Sequence, residues 1–197
     1  MLTTEGKVDT GALRERLRLL RLSYNDHADA WSWENLRGLR AAAEVSERAN
    51  LFSKVGIGAQ GVTFTLRNVP DLTLADAFLW YGPGGWEHSF ITLIEPVDRL
   101  FIRVRCARVR TCACRALAER EKPGVWFPGV LTEKYVGHEQ LDPLAINVIC
   151  YVLVTPKAVE LKRGSLVSVD GTPYEVQVGH LLDPWKNEFE IVRTVDL

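Results

Sequence analysis

Alternation of apolar and polar positions dominates this chain and predicts strands along most of it. From residue 13, LRERLRLLRL puts Leu13, Leu17 and Leu19 on one face and Arg14, Arg16 and Arg18 on the other, a period of two. SYNDHADA (23–30) has the Asn, Asp and Ser content of a connecting loop, and Trp31, Trp33 and Leu36 resume a strand expected to run to about Ala43. AAAEVSERANLF favours a helix on propensity, so a short helix or a long hairpin tip is expected as far as Lys54. Gly56, Gly58 and Gly61 break the chain, GVTFTLR (61–67) alternates again, and GPGG (82–85) reads as a hairpin turn. The strand after that hairpin extends through IRVRCARV to about Val109.

A second regularity lies on top of the first. Residues 86–105, WEHSFITLIEPVDRLFIRVR, find an echo 88 positions on in YEVQVGHLLDPWKNEFEIVR (174–193). Without a gap, Glu87/Glu175, Leu93/Leu181, Pro96/Pro184, Phe101/Phe189, Val104/Val192 and Arg105/Arg193 coincide, and each copy predicts a hairpin around an acidic-Pro turn. Between the copies, TCACRALAEREK (111–122) predicts a short helix closed by Lys122, Pro123 and Gly124. INVICYVLV then predicts a strand ending at Pro156, and Asp170-Gly171 signals a tight turn. One feature resists the gapless alignment. Leu100, Ile102, Val104 and Cys106 form the apolar face in copy one, while Phe189, Ile191, Val195 and Leu197 form it in copy two, on the opposite parity. Either copy one carries a bulge near Asp98 or the gapless match overstates the homology.

The expected fold is mainly β: a small antiparallel β-barrel or sandwich, a second, smaller β domain of related topology, and few short helices. The expected organisation is an N-terminal arm (1–12), a barrel domain (13–110), a linker with the short helix (111–124) and a second β domain (125–197). That second domain reads as a partial duplicate lacking counterparts of the first strands.

Composition narrows the chemistry. A 197-residue chain that is 47% hydrophobic and 25% charged reads as globular, and no apolar run approaches the ~20 residues of a membrane span, so no membrane partner is expected. No signal peptide pattern opens the chain and four Cys suit reduced thiols, so a cytoplasmic site of synthesis is expected. A formal net charge of −1 argues against phosphate neutralisation as the main role. Cys106, Cys112 and Cys114 lack the C-x2-C spacing of a zinc knuckle, and Cys150 falls in the other domain, so structural thiols and no metal are expected. His27, His88, His138 and His180 are scattered, GPGG lacks the Lys and Ser/Thr of a P-loop, and Asp26, Asp29, Glu95 and Asp98 sit on expected turns. No catalytic constellation or cofactor site emerges, and a non-enzyme is expected. The basic tracts, with Arg14, Arg16 and Arg18 on one strand and Arg103, Arg105 and Arg108 on another, suit either solvated faces or a contact face for an acidic protein or DNA backbone.

The order of motifs, L-R-E-R-L-R-L-L, W-S-W-E, A-A-A-E-V, GVTFTLR, L-T-L-A-D-A-F-L-W-Y-G and LFIRVRCARV, resembles the head–tail joining (head-closure, or stopper) proteins of tailed bacteriophages over roughly residues 11–110. The segment from LKRGSLVSVDGTPYEVQVGHLLDP to the end is similar to a half of small phage neck proteins. The resemblance implies a barrel subunit of the virion neck that assembles into a ring, most often a hexamer. Such a ring sits between the portal or adaptor proteins and the tail terminator or tube, with packaged double-stranded DNA passing non-specifically through its channel. It also implies that the 45–60 excursion projects towards a neighbour or the channel, with Asn50, Leu51, Phe52, Lys54 and Gly56 as its contact residues. The alternatives are a tail-side completion or terminator protein of the same virion and a small Cys/His metal-binding enzyme.

Overall fold

Residues 8–49, 59–82, 84–117, 124–133 and 150–194 are described by the computed structural model. The predicted alternation is realised as β1 (Glu15–Asn25), β2 (Ala30–Ala49), β3 (Ala59–Arg67), β4 (Ala77–Gly82), β5 (Gly85–Pro96) and β6 (Phe101–Val109), followed by β7 (Cys112–Ala116), β8 (Trp126–Glu133), β9 (Cys150–Pro156), β10 (Leu166–Val169), β11 (Thr172–His180) and β12 (Lys186–Arg193). The described residues are 69% strand, and their helical content is one 3-10 turn, Thr10–Ala12, capped by the Asp9 carboxylate on the Gly11 amide.

The described residues divide into two compact units, 8–23 with 33–49, 59–82 and 84–110, and 24–32 with 111–117, 124–133 and 150–194. In the first, the strands pair in the order β1-β4-β5-β6-β3-β2, and β1–β2 pairing closes the ring into an antiparallel barrel. Closure leaves no free edge to template aggregation. The barrel is filled by residues of the alternating strands, Leu17 and Leu19, Phe64, Val104 and Cys106, together with Phe78 and Trp80 of β4. Phe64 meets Phe78 and Trp80 edge-on, with centroids at 5.8 and 5.6 Å.

In the second unit the order is β7-β10-β11-β12-β9-β8, closed by β8–β7 on one side and β8–β9 on the other. Adding six to each label of the first ring gives the second, so the second unit has the topology of the first, complete. Its core gathers Phe127, Leu153, Val167, Val169, Tyr174, Phe189 and Ile191. The Asp170-Gly171 turn forms as expected, both residues at positive φ (47° and 85°).

The correspondence is finer than strand order. Pairing of β5 with β6 shifts register between Ile91 and Leu93, and pairing of β11 with β12 shifts between Val176 and Val178. Asp98 Oδ1 accepts the amides of Leu100 and Phe101 at 2.7 and 2.9 Å; Asp183 Oδ1 accepts those of Trp185 and Lys186 at 2.7 and 3.0 Å. Both features superpose at an offset of 85 residues. The gapless alignment at 88 is therefore a three-residue slip, and the bulge lies at Thr92, not near Asp98. An odd offset reconciles the parity conflict: Ile102, Val104 and Cys106 correspond to Asn187, Phe189 and Ile191, all buried.

Two further expectations are corrected. Residues 112–116 form a strand where a helix was expected, because β8 and β10 hydrogen-bond it on both sides and its Cys112, Cys114 and Ala116 face the core, outweighing the helical propensity of its Ala and Arg. This strand and β8 are the counterparts of β1 and β2 that the second unit was expected to lack. The second correction is one of extent: β2 was expected to end near Ala43 with a short helix or a long hairpin tip beyond it, and the hairpin alternative is realised, AAAEVSERA continuing β2 to Ala49 with Ala41, Ala43 and Val45 in register against Leu66, Phe64 and Val62.

Candidate interaction surfaces

The β2–β3 hairpin is the longest element of the first barrel. Its 20-residue strand stays in register with β3 from Ala41↔Leu66 to Ser46↔Gly61, then shifts before Ala49↔Ala59. The expected contact residues Asn50, Leu51, Phe52, Lys54 and Gly56 fall in the connection after this ladder and lie outside the described residues.

The six expected arginines do not make one face. Arg14, Arg16 and Arg18 are exposed on and just before β1; β6 is three strands away around a ring of six, so Arg103 and Arg105 face the opposite side. Arg105 pairs with Glu95 at 3.1 Å. Arg108 lies on the inward parity of β6, at the rim, where it binds the Glu87 carboxylate and lies 5.5 Å from the Trp80 ring centroid. Trp80 in turn donates its indole N–H to Glu15 at 3.0 Å. Ring closure is what separates residues that a flat reading of the strands would place together.

Around Arg18 a different cluster emerges. Its guanidinium lies 4.3 Å over the Trp86 ring, and Trp86 meets Tyr81 edge-on at 5.2 Å. Both aromatics are substantially exposed, 44% and 55%. The narrow Gly82/Gly85 turn pairs the strands so that Tyr81 sits opposite Trp86. Trp, Tyr and Arg side by side on a surface are the residue types that dominate protein interfaces.

On the same barrel, Thr10, Leu13, Leu39, Leu66 and Val69 line a groove of about 480 Å³ together with Arg37, Arg40 and Arg67. Sequence reasoning missed this trio, because it depends on β2–β3 register and on the return of the N-terminal 3-10 turn. Arg37 pairs with Asp71 at 2.7 Å, and Arg40 donates to the Arg14 carbonyl at 3.0 Å. Neither Arg40 nor Arg67 has a carboxylate within ion-pair distance among the described residues. Nearby, the buried Asp76 accepts a fork from Arg21 (2.8 and 3.1 Å) and both the amide and hydroxyl of Thr73 (2.9 and 3.1 Å). The Asp76 hydrogen bond and charge hold the Arg21 pKa above its ordinary value.

Of the cysteines, Cys106 belongs to the first barrel's core, while Cys112 and Cys114 lie together in the second with sulfurs 3.7 Å apart. Cys112 also donates to the Gly129 carbonyl at 3.3 Å. The hydrogen bond between the two thiols lowers the Cys112 pKa and raises that of Cys114, whose burial adds to the rise. Among the described residues no group of three or more His, Cys, Asp or Glu is arranged to hold a metal. His27 lies on the turn after β1, His88 is buried near Trp33 and Phe90, and His180 contacts Glu190 at 3.0 Å; His138 lies outside the described residues. Asp29 accepts the Tyr24 hydroxyl and Asp98 holds its turn, whereas Glu95 stands on a strand.

No protein-family profile, curated protein or solved structure matches this chain.

Proposed function

We propose that this chain is a non-enzymatic structural subunit of a tailed-phage neck, forming a ring that joins the portal or adaptor proteins of the head to the tail and helps retain packaged DNA. The observation that carries the reading is the first barrel itself: a closed six-strand scaffold whose 20-residue β2 is held in an antiparallel ladder with β3 as far as Ala49↔Ala59. That is the architecture the sequence resemblance implies. A rigid barrel holding a loop is the usual way a fold presents a contact element without compromising its core. Near-neutral charge, −1 over 197 residues, suits a conduit through which DNA slides without sticking. In this reading the subunit is a ring component, sixfold by resemblance, and its 50–56 connection contacts a neighbour or the lumen.

Particles assembled without the protein test the proposal. Filled heads that lose their DNA support closure; stable full heads with aberrant tails support the tail-side completion role. A thiol-based site is the second reading, favoured by the Cys112–Cys114 proximity. Stoichiometric zinc on purified protein, abolished by Cys112→Ser with Cys114→Ser, would establish it.

A further inference from the structure

The turn at 181–185, LLDPW, is built to be covered. Leu182 is fully exposed, and Leu181 and Trp185 are 51% and 37% exposed. Three large apolar side chains at one turn form a patch of the kind that marks an interaction site. The turn is also held in place. Asp183 Oδ1 clamps the Trp185 and Lys186 amides, and Lys157 Nζ donates to the Leu181 carbonyl at 2.8 Å. Little ordering entropy is left to lose on docking. Among the described residues the Asp183 carboxylate is engaged through Oδ1, which leaves Oδ2 to a cationic partner.

The equivalent turn of the first barrel sharpens the comparison. At the 85-residue offset, Val97, Asp98, Arg99 and Leu100 replace Leu182, Asp183, Pro184 and Trp185. That version carries its own Arg beside the Asp and is less apolar. The second unit's version is anionic and larger, and calls for an apolar floor rimmed by cations.

One described surface of this chain offers both. The groove on the first barrel has Leu13, Leu39 and Val69 in its lining, and Arg40 and Arg67 without a carboxylate partner among the described residues. Its volume of about 480 Å³ falls within the ~300–1,000 Å³ typical of sites that enclose a ligand group. We propose that the 181–185 turn of one copy seats in the arginine-rimmed groove of a second copy, with Leu182 on the apolar lining and Asp183 facing Arg40 and Arg67. Tip and groove are different surfaces, so the contact is head-to-tail, the type that generates closed rings when its rotation closes. This rests on the ring reading above and names the contact that would build it.

Sedimentation of the full chain and two variants tests the contact. Leu182→Ser and Arg67→Glu alter exposed side chains, and unchanged circular dichroism and melting temperature verify that both fold. Each variant alone is expected to associate at least ~10-fold more weakly than wild type, as expected for losing an interface anchor. Mixed, they are expected to form a one-to-one dimer and nothing larger, because the intact tip of Arg67→Glu meets the intact groove of Leu182→Ser. Variants that keep the wild-type oligomer, or a mixture that stays monomeric while wild type assembles, overturn this contact and leave the ring reading standing. A wild-type chain that remains monomeric throughout overturns both.

Discussion

Asp98 and Asp183, 85 positions apart, are equivalent turn clamps, since each carboxylate takes the two backbone amides that open the last strand of its barrel. Removing either leaves those amides to water and loosens the turn. Asp98→Ala and Asp183→Ala are each expected to cost about 1 kcal/mol, the usual worth of such a cap. Urea unfolding should show a shifted midpoint at unchanged slope. An effect in one variant and none in the other would break the equivalence.

Two arginine pairs beside the groove should differ sharply. Arg21→Ala strips the cation from Asp76, which is 1% exposed, and is expected to cost about 2 kcal/mol once the exposure of Arg21 itself is allowed for. Arg37→Ala breaks a pair in which both partners are solvated, and is expected to cost less than about 0.5 kcal/mol. Thermal melts of the two variants rank them directly.

Gly129 in β8 has no room for a methyl. A Cβ there would lie 2.8 Å from the Cys114 sulfur and 2.9 Å from Leu153 Cδ1. Gly129→Ala is expected to destabilise by about 1–3 kcal/mol through overpacking. Adding Cys114→Ala removes one of the two clashes, so the double variant should be more stable than the sum of the singles predicts.

The thiol pair makes a prediction in pH. The shared thiol hydrogen bond means that Cys112 ionises more readily than an ordinary cysteine, whereas raised Cys114 keeps its proton. Iodoacetamide near pH 7.5 should therefore label Cys112 first, with Cys106 and Cys114 modified only on unfolding, as read by mass spectrometry of digested protein. Equal labelling of Cys112 and Cys114 in the folded chain would contradict this assignment.

Much of the first barrel was legible because its strands bury one face: Leu17 and Leu19 or Phe64 and Leu66 announce their inward direction by alternation alone. The glycine turns were legible from backbone chemistry. The offset between the two barrels was misread because identities such as Pro96/Pro184 at exposed turns were weighed above buried parity, and it is burial that fixes register. β7 was misread because five residues with Ala and Arg carry more helical propensity than strand pattern, while the ladder partners that decide the matter lie elsewhere in the chain. The even-numbered position of Arg108, alongside Val104 and Cys106, did signal that it points inward. Nothing in the sequence brings Arg37, Arg40 and Arg67 together; only the fold does. The apolar LLDPW turn was visible, but its exposure was not.

The central claim, that this twin-barrel chain is a neck component, is tested most directly by cryo-electron microscopy of virions assembled with it. A neck component should appear as a ring of copies at the head–tail junction, with the first barrel's β2–β3 connection facing a neighbouring subunit or the channel. Density for the chain elsewhere, or virions complete at the junction without it, would rule out a neck role.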